Sequence, residues 1–487
     1  MVPSLAGVLI CCGLFAAAWF TERPLIVALM ASIAFGSTAI VTLTALGGSS
    51  PLIYVVFLMA LFATVALRRD IMRELGVVLT QQPLAWLVLL LALYTVVGAL
   101  VLPRMFAGET TAFIPVRSGG GAGGIAEIPL MPVPGNITQS MYFVLTALSF
   151  FAFSVLLLRR ETFGAIRTGF FAWASVHASL GFIDLLGKIA GLGDVLAPIR
   201  SATYAMLTEV DVAGFWRIAG GYSEASAFGA TTVSLLAFTF TYWRITQNRF
   251  ALVLTAALFV LFILSTSSTA YVAGAILLMV VLASVTTAAL RDRLRKQDLL
   301  LIAALFAALC VIVGAVVHSE RILDPFWRLL DMMILDKASS ASGEERAYWN
   351  YRSLQSVVDT VGLGIGIGSS RASSWLIAVI SQLGVVGTLM IGYLTFEIIR
   401  GVGVRGTGAP DDRELHAIAN SARAACLAGL VTASISSGDA DPGLRFYIAL
   451  AVISSYRQLV GQRLGAPVHS ARFALSRPGL PSPRGAW

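Results

Sequence analysis

The sequence predicts an all-α fold: a polytopic α-helical integral membrane protein with about 12–13 transmembrane helices and a partly helical periplasmic subdomain. Of its 487 residues, 57% are hydrophobic and only 12% are charged, whereas a soluble domain carries about 25% charged residues. Apolar runs of about 20 residues recur along nearly the whole chain, which is the length that a membrane-spanning helix needs. Residues 1–20 lack a basic segment and a clear cleavage site, so we expect a retained span rather than a removed signal peptide.

Hydropathy places the spans between polar connections along the whole chain. The predicted spans are 4–20, 25–46, 51–67, 84–102, 138–158, 168–186, 222–243, 250–264, 269–290, 299–317, 372–399, 424–437 and 442–459.

Basic residues fall mostly on one side of these spans, which makes that side cytoplasmic. The clusters on this side are Arg23; Arg68, Arg69 and Arg73; Arg159, Arg160 and Arg167; Arg244 and Arg249; Arg291, Arg293, Arg295 and Lys296; Arg400, Arg405, Arg413 and Arg423; and Arg457, Arg463, Arg472, Arg477 and Arg484. The net charge of +8 is therefore mainly a topology signal, and it does not indicate nucleic-acid binding.

Three long connections fall on the opposite, periplasmic side, and long loops between spans tend to carry function. We expect a membrane domain over 1–459 with periplasmic loops 103–137, 187–221 and 318–371, and a disordered cytoplasmic tail over 460–487. The first loop contains a glycine run, 118–124, that is typical of a mobile segment. The third contains a polar helical stretch, 321–361, and is a probable helical subdomain.

The four cysteines, Cys11, Cys12, Cys310 and Cys426, all lie inside apolar runs. No pair has metal-ligand spacing and none lies in a long loop, so we expect neither a disulfide framework nor a metal site. No motif calls for a cofactor.

The segment Arg217-Ile-Ala-Gly220-Gly-Tyr222-Ser-Glu224-Ala-Ser226 is the strongest candidate site, because it places charges at the mouth of a predicted span. A charge at membrane depth costs about 2.5–3.5 kcal/mol even on the mildest insertion scale. Glycines allow a ligand to approach the backbone closely, a helix N-terminus attracts anions, and an arginine fork suits phosphate. The alternative is that Arg217 and Glu224 form only an ion pair that closes the loop.

A second candidate is the stretch 342–352 of the third outer loop, which alternates arginines with aromatic residues. Arg346 and Arg352 suit phosphates, and Tyr348 and Trp349 suit sugar rings. The alternative is an amphipathic helix on the membrane surface, with its aromatic residues at the interface.

Three smaller features lie on the same outer side. Gly362-Leu-Gly364-Ile-Gly366-Ile-Gly368-Ser-Ser-Arg371 lacks the end of a phosphate-binding P-loop, so we expect a compact turn at the membrane surface from which Arg371 faces the same cavity as Arg217. Ser268 lies in a serine-rich span end whose simplest role is helix capping. His318 ends a predicted span and could titrate near neutral pH.

The order of these pieces resembles the O-antigen polymerase and O-antigen ligase superfamily over about residues 200–400. The family pattern Arg-x-x-Gly-x-aromatic-x-(Asn/Glu)-(Pro/Ala)-(Asn/Ser) matches 217–226. A serine-rich span end then follows at 264–270, an arginine before aromatics at 346–349, a Gly-x-Gly-x-Gly at 364–368, and Gly384-Val-Val-Gly387 in the next span.

The resemblance implies a glycosyltransferase in a bacterial inner membrane that needs neither a metal nor a cofactor. It would transfer a glycan from an undecaprenyl-diphosphate-linked oligosaccharide to a glycan acceptor at the periplasmic face. Its partners would be the lipid bilayer and chain-length or export proteins of a polysaccharide pathway. Arg217, Arg346 and Arg371 would bind the diphosphate, and Glu224 would act on the acceptor hydroxyl. The substrate contacts would come from Gly220, Tyr222, Ser226, Ser268, His318, Tyr348, Trp349 and Arg352.

Two departures from the family pattern bear on the reaction. Family members often carry Ser-Arg where this chain has Ser268-Thr269. Many, ligases especially, carry a His-Asn/Ser pair where this chain has Ser373-Ser374. We therefore expect a polysaccharide polymerase, with an O-antigen ligase or protein O-oligosaccharyltransferase as the alternative. A multispan transporter or lipid flippase is the alternative from another class.

The predicted topology is tested by a reporter fused after Ala338. We expect a periplasmic signal from a reporter pair such as alkaline phosphatase and green fluorescent protein, with a fusion after Arg69 as the cytoplasmic control. A cytoplasmic signal at 338 would contradict the predicted sidedness.

Overall fold

Helices form almost all of the regular structure in the computed structural model. It describes residues 2–42, 49–116, 124–203, 206, 208, 211–212, 215–292, 294, 296–300, 302–303, 341–403 and 410–465. The all-α prediction is confirmed for this part of the chain. In chain order, its α-helices are α1 Leu5–Ala18, α2 Pro24–Ser32, α3 Ile53–Ala66, α4 Ile71–Gln81, α5 Leu84–Met105, α6 Pro134–Leu157, α7 Thr162–Ile189, α8 Ala225–Thr246, α9 Arg249–Leu264, α10 Ser268–Leu290, α11 Ala341–Asp359, α12 Trp375–Arg400, α13 Pro410–Ser436 and α14 Leu444–Gly465.

Strands are short, and they pair only in antiparallel twos within the described residues. The pairs are β1 Val2–Pro3 with β2 Val41–Thr42, β3 Thr111–Val116 with β4 Gly124–Pro129, and β5 Asp211–Val212 with β6 Phe215–Trp216. The β3–β4 hairpin was not predicted. Apart from Gly124, which begins β4, the predicted mobile glycine run lies outside the described residues.

Six of the described helices are long and apolar enough to cross a membrane: α5, α6, α7, α10, α12 and the Asp412–Ser436 part of α13. Three shorter helices, α1, α3 and α9, are also apolar. These helices indicate a membrane protein. The predicted total of about 12–13 spans and the predicted sidedness remain predictions.

The predicted span 25–46 is wrong, because α2 ends at Ser32. Beyond it the backbone is held by the second of the three long loops predicted from sequence, 187–221. The Ser37 N–H and hydroxyl donate to the Gly221 carbonyl at 3.0 and 2.9 Å, and the Thr38 hydroxyl donates to the Ile199 carbonyl at 2.7 Å. These contacts lie far apart in sequence, so the apolar run alone could not reveal the helix end.

Two other predicted boundaries also change. The span predicted at 424–437 is the end of a longer helix, Pro410–Ser436. The last helix continues to Gly465, past the predicted domain end at 459. The predicted span 299–317 and the first part of the predicted subdomain lie largely outside the described residues, whereas 341–359 is helical as predicted.

Helix α12 is broken at Gly384, whose φ is +63°, and the glycine-rich segment 362–371 inserts into the break. Ile365 N–H donates to the Ser381 carbonyl at 2.9 Å, and Gly366 N–H donates to the Gln382 carbonyl at 3.0 Å. The segment therefore packs into the helix break and binds its free carbonyls, whereas the sequence suggested a turn at the membrane surface.

Glycines at this contact allow two backbones to meet. A Cβ added at Gly364 would lie 2.6 Å from the Gly384 nitrogen, and one added at Gly384 would lie 2.3 Å from the Leu363 oxygen. Both glycines also have positive φ, which side chains disfavour. The spacing of the glycine motif is explained by this packing.

We predict that Gly384→Ala destabilises the protein by about 1–3 kcal/mol, because the new Cβ meets backbone at a left-handed residue. Thermal unfolding of the purified protein in detergent measures the effect. Gly392→Ala in the same helix is the matched control. A Cβ there meets nothing within 4 Å, so we expect no loss or a gain of about 0.5–1 kcal/mol. Equal effects of the two substitutions would contradict the packing argument.

Candidate functional site

The loop that carries Arg217 is anchored by a buried carboxylate, Asp184 of α7. Its Oδ2 accepts hydrogen bonds from Ala219 N–H at 2.8 Å and Gly220 N–H at 3.0 Å. Lys188, one helical turn later, lies 3.2 Å from the same carboxylate, and Arg200 lies 3.5 Å from it. All three charged side chains are nearly inaccessible to solvent. The carboxylate thus fixes the loop backbone and is neutralised where it lies.

The two cations also hold carbonyls of the same loop. Lys188 Nζ donates to the Arg217 carbonyl at 2.7 Å, and the Arg200 guanidinium donates to the Gly220 carbonyl at 3.0 and 2.6 Å. The backbone that follows Arg217 is therefore held through the N–H groups of Ala219 and Gly220 and through the carbonyls of Arg217 and Gly220. Sequence reasoning missed this network, although the Asp184 and Lys188 charges at i and i+4 next to a predicted span were a signal.

Gly220 and Tyr222 serve this anchoring in the structure. Gly220 has φ +52°, and a Cβ there would lie 2.8 Å from the Phe228 ring. The Tyr222 ring is buried, and its hydroxyl donates to the Ile33 carbonyl at 3.0 Å. A Cβ at Gly36 would lie 2.3 Å from that ring. Both residues were predicted to contact substrate, and the structure places both in the packed support of the loop.

Arg217 itself lies half-buried, and its Nε has no hydrogen-bond partner among the residues that the structure describes. Burial lowers the pKa of the Arg217 guanidinium. The Glu224 carboxylate opposes that shift, and the positive charge of Arg346 adds to it. Arginine stays protonated at neutral pH in any case. The structure therefore brings three of the four predicted catalytic residues within electrostatic reach, with two positive charges for one negative charge.

Glu224 and Ser226 lie at the start of α8, as predicted. Glu224 is the N-cap residue, with extended backbone, and its carboxylate accepts a hydrogen bond from the Ser226 hydroxyl. The helix N-terminus adds partial positive charge beside Arg217. This end of α8 suits an anionic group better than a cationic one.

Arg346 reaches the site from α11, which is tied to the loop before α12. Asn350, one turn after Arg346 on the same helix face, accepts a hydrogen bond from Ser373 N–H at 2.9 Å. Ser373 lies two residues after Arg371. The three predicted arginines thus come from three sequence-distant segments that meet at one end of the bundle.

Phe113 of the β3–β4 hairpin joins these segments. Its carbonyl accepts from Arg371 N–H at 2.9 Å, and its ring lies 5.9 Å from the Tyr348 ring and 6.2 Å from the Trp349 ring. The first and third of the predicted outer loops are therefore in contact, and the second interacts electrostatically with the third through Arg217 and Arg346.

Two of the predicted substrate contacts are used to hold this hairpin. Arg352 lies 3.1 Å from the Glu127 carboxylate and donates to the Thr111 hydroxyl at 2.8 Å. The Tyr348 hydroxyl donates to Glu127 at 2.9 Å. Arg352 is thus neutralised by Glu127, unlike the arginines of the cluster formed by Arg217, Glu224 and Arg346.

The serine-rich corner caps α10 and packs on α8. Ser267 Oγ accepts from Ala270 N–H at 3.3 Å, and Ser268 is buried. A Cβ at Gly229 would lie 2.9 Å from the Ser267 Cβ, so the corner lies about one turn along α8 from Glu224. His318 lies outside the described residues.

A loop that sequence reasoning missed, 437–443 between α13 and α14, reaches Arg371. A Cβ at Gly438 would lie 2.8 Å from the Arg371 Cγ and 3.3 Å from its Nε. The Asp441 carboxylate in this loop accepts from the Thr146 hydroxyl at 3.0 and 3.1 Å and from Gly443 N–H at 2.9 Å. The available signal was the pair Asp439 and Asp441 between the last two predicted spans.

Burial raises the pKa of the Asp441 carboxyl to about 7. The hydrogen bonds from Gly443 and Thr146 oppose that shift, and the neighbouring charge of Asp439 adds to it. The residue as a whole is only partly buried. A carboxyl with a pKa near neutral can exchange a proton with a ligand that reaches it.

Arg445 follows in the first turn of α14. Its guanidinium donates to the Ser234 hydroxyl at 2.6 Å and lies 5.7 Å from the Trp173 ring centroid. It also has an electrostatic interaction with Tyr222. Besides Arg200, Arg445 therefore also lies behind the Arg217 loop, deeper in the bundle.

Comparison with known proteins leaves the site to be interpreted from its own geometry. No protein-family model, curated protein or solved structure matches the chain. The geometry offers arginines from three segments, a carboxylate among them at Glu224, and a second carboxylate at Asp441 on the loop that touches Arg371.

We predict that protonation of Asp441 stabilises the fold. Its pKa in the native state, about 7, lies above the unfolded value of about 3.9. The native state therefore binds this proton more tightly, and its stabilising effect is present at low pH and is lost as pH rises through about 7. Relative to Asp441→Asn, the free energy of unfolding of the wild type should fall by about 1–2 kcal/mol as the pH rises from about 3.9 to about 7.

Thermal unfolding of both proteins across pH measures this difference. Glu161→Gln, which changes an exposed carboxylate at the other end of the bundle, is the control and should show no such window. A constant difference between wild type and Asp441→Asn at all pH values would contradict the assignment.

Proposed function

We propose that the chain is a membrane glycosyltransferase of the polysaccharide-polymerase type. It transfers a glycan from an undecaprenyl-diphosphate carrier to an acceptor sugar hydroxyl at the periplasmic face of a bacterial inner membrane. The observation that carries the proposal is the convergence of Arg217 and Arg346 beside one carboxylate, Glu224, at one end of the bundle.

The charge balance of this cluster favours an anionic ligand. Two arginines that repel each other in a half-buried place are stabilised when an anion neutralises the excess charge. The buried Arg217 Nε–H also has no partner in the described part of the chain, and a phosphate oxygen would satisfy it. A diphosphate carries the charge and the acceptor atoms that the cluster lacks.

Arg371 supports the same interpretation from another segment of the chain. Its guanidinium stem is held against Gly438, and its side chain is largely exposed. The Asn350–Ser373 hydrogen bond ties this segment to the helix that carries Arg346. A long anionic group bound between Arg217 and Arg371 would thus meet cations along its length.

In the proposed reaction the acceptor oxygen forms a bond to the anomeric carbon of the donor glycan. The bond from that carbon to the phosphate oxygen breaks, and the diphosphate leaves with the electron pair. Arginine donors stabilise the negative charge that develops on the leaving group. The hydroxyl proton passes to a carboxylate of the protein.

Two carboxylates compete for that proton. Glu224, the sequence-based candidate, lies beside Arg217 and accepts a hydrogen bond from Ser226, a setting that suits orientation of the arginine. Asp441 has a pKa near 7, which suits a general base at neutral pH. We therefore assign proton acceptance to Asp441 and the positioning of Arg217 to Glu224.

The ligase alternative has less support at the position where many ligases carry histidine. Ser373 gives its N–H to Asn350, and the Ser374 hydroxyl donates to the Ser434 carbonyl at 2.7 Å. Both serines tie helices together, and neither is a base at neutral pH.

The transporter alternative would use the break in α12, since transporters bind ions at free carbonyls of broken helices. Here the carbonyls at the break have donors: Ser381 and Gln382 accept from the glycine segment, and Leu383 accepts from the Tyr94 hydroxyl at 2.9 Å. The break is filled by protein, which favours a structural role.

We predict that Arg217→Ala lowers polymer synthesis by about 10²–10³, the loss typical of removing one preorganised donor to a developing charge. Arg217→Lys should recover part of this, because it keeps the charge but not the fork. The assay is the size distribution of the surface polysaccharide in a strain that lacks the native gene. Arg104→Ala, an exposed arginine at the same end of the bundle, is the control.

The products distinguish the candidate functions. Single-repeat products from the Arg217 variants support a polymerase. Full-length carrier-linked polymer that fails to reach its acceptor indicates a ligase. Unchanged and normally attached polymer would rule out both enzymes. The single variants Asp441→Asn and Glu224→Gln, each measured across pH, identify the base. Activity should rise through about pH 7, and only the variant that lacks the base should lose this rise.

A further inference from the structure

A large groove lies away from the candidate site, between helices α8, α9, α10 and α13. Its volume is about 1500 Å³, which exceeds the roughly 300–1,000 Å³ of an ordinary small-molecule pocket. Along most of its length the lining is apolar, with side chains such as Leu236, Phe240, Phe259, Leu277 and Leu427. A groove of this size and polarity between apolar helices suits hydrocarbon chains.

One end of the groove is basic. Arg244, Arg291, Arg413 and Arg423 line it, together with two carboxylates, Asp298 and Asp412. These residues belong to the side of the bundle that the sequence predicts to be cytoplasmic. The charges lie at the ends of helices and the apolar lining lies between helices, so the groove has a polar end and an apolar body.

Both carboxylates already have cationic partners. Asp298 pairs with Arg244, and Asp412 lies 3.3 Å from Arg160, which does not line the groove. Arg413 donates to the Ile245 carbonyl at 2.9 and 2.6 Å. Among the described residues that line it, the basic end therefore keeps an excess of positive charge after these ion pairs are formed.

Arg423 and Arg291 complete this end. Arg423 donates to the carbonyls of Ile398 and Ile399 at 2.8 and 2.6 Å, which close the end of α12. Arg291, the C-cap residue of α10, is exposed. Carbonyl contacts orient the guanidinium groups of Arg413 and Arg423 without neutralising them, so an anion can add to them.

We propose that this groove binds an anionic phospholipid of the bilayer. The acyl chains lie along the apolar lining, and the phosphate of the headgroup lies among Arg291, Arg413 and Arg423. Basic pockets between membrane helices on the cytoplasmic side are suited to anionic headgroups. The groove is independent of the proposed glycosyl transfer, so either proposal can fail without the other.

Charge complementarity selects a lipid over a segment of the chain itself. The apolar run 299–317 is long enough to fill a groove, but it contains no charged residue. It could cover the apolar lining and would leave the arginines without an anion. An anionic phospholipid satisfies both parts of the groove.

Native mass spectrometry of the full-length protein tests the proposal, with phosphatidylglycerol or phosphatidylcholine added in detergent. We expect retention of phosphatidylglycerol over phosphatidylcholine, and at least tenfold weaker retention in Arg291→Gln/Arg413→Gln. Arg291→Gln alone, a change at an exposed side chain, should give a smaller loss in the same direction without a folding defect. Ala237→Trp, which fills the groove, should reduce retention of both lipids.

The control is Arg69→Gln, which removes an exposed arginine from the same predicted side but outside the groove. Equal loss in this control would show a bulk charge effect and overturn the proposal. Equal retention of the two lipids would overturn the headgroup assignment. A crosslink between Ala256→Cys and Cys310, with the other cysteines replaced, would show that the run 299–317 occupies the groove instead.

Discussion

The buried carboxylate of Asp184 is the interaction on which the rest of the site depends. It accepts two backbone N–H groups of the Arg217 loop and is flanked by Lys188 and Arg200. Both cations return hydrogen bonds to carbonyls of that loop. Removing one partner of such a network leaves a buried charge uncompensated, at a cost of about 3–5 kcal/mol. The network therefore fixes a loop that has little regular structure of its own.

With its backbone fixed, the Arg217 loop also determines the structure around it. Tyr222 requires the space that Gly36 leaves, and Gly221 accepts the N–H of Ser37, so α2 must end before them. On the opposite side, the glycine segment fills the break in α12 and delivers Arg371 beside the 437–443 loop. The site is therefore an assembly of loops, each held by polar contacts to a helix end, and this rigidity suits a preorganised anion site.

Sequence reasoning found the fold class and most residues of the cluster, because hydropathy and unusual charges are local properties. It identified Arg217, Glu224 and Arg346, and the structure brings these together. It could not predict that Arg352 is neutralised while Arg346 belongs to the cluster. Arg352 pairs with Glu127 of the β3–β4 hairpin, and the sequence did not predict that hairpin. It also overlooked Asp441, whose pKa is raised first by burial, which arises from packing, and only then by the charge of Asp439 nearby in sequence.

The sequence by itself determined the helical, apolar character of the chain and the presence of arginines that require an anion or a counter-charge. Only the tertiary structure decided where helices break, which cations are already neutralised, and which remain available. The physical reason is that hydropathy follows from composition along the chain, whereas burial, charge pairing and backbone contact arise between residues far apart in it. Asp184 with Gly220 and Arg371 with Gly438 are such pairs.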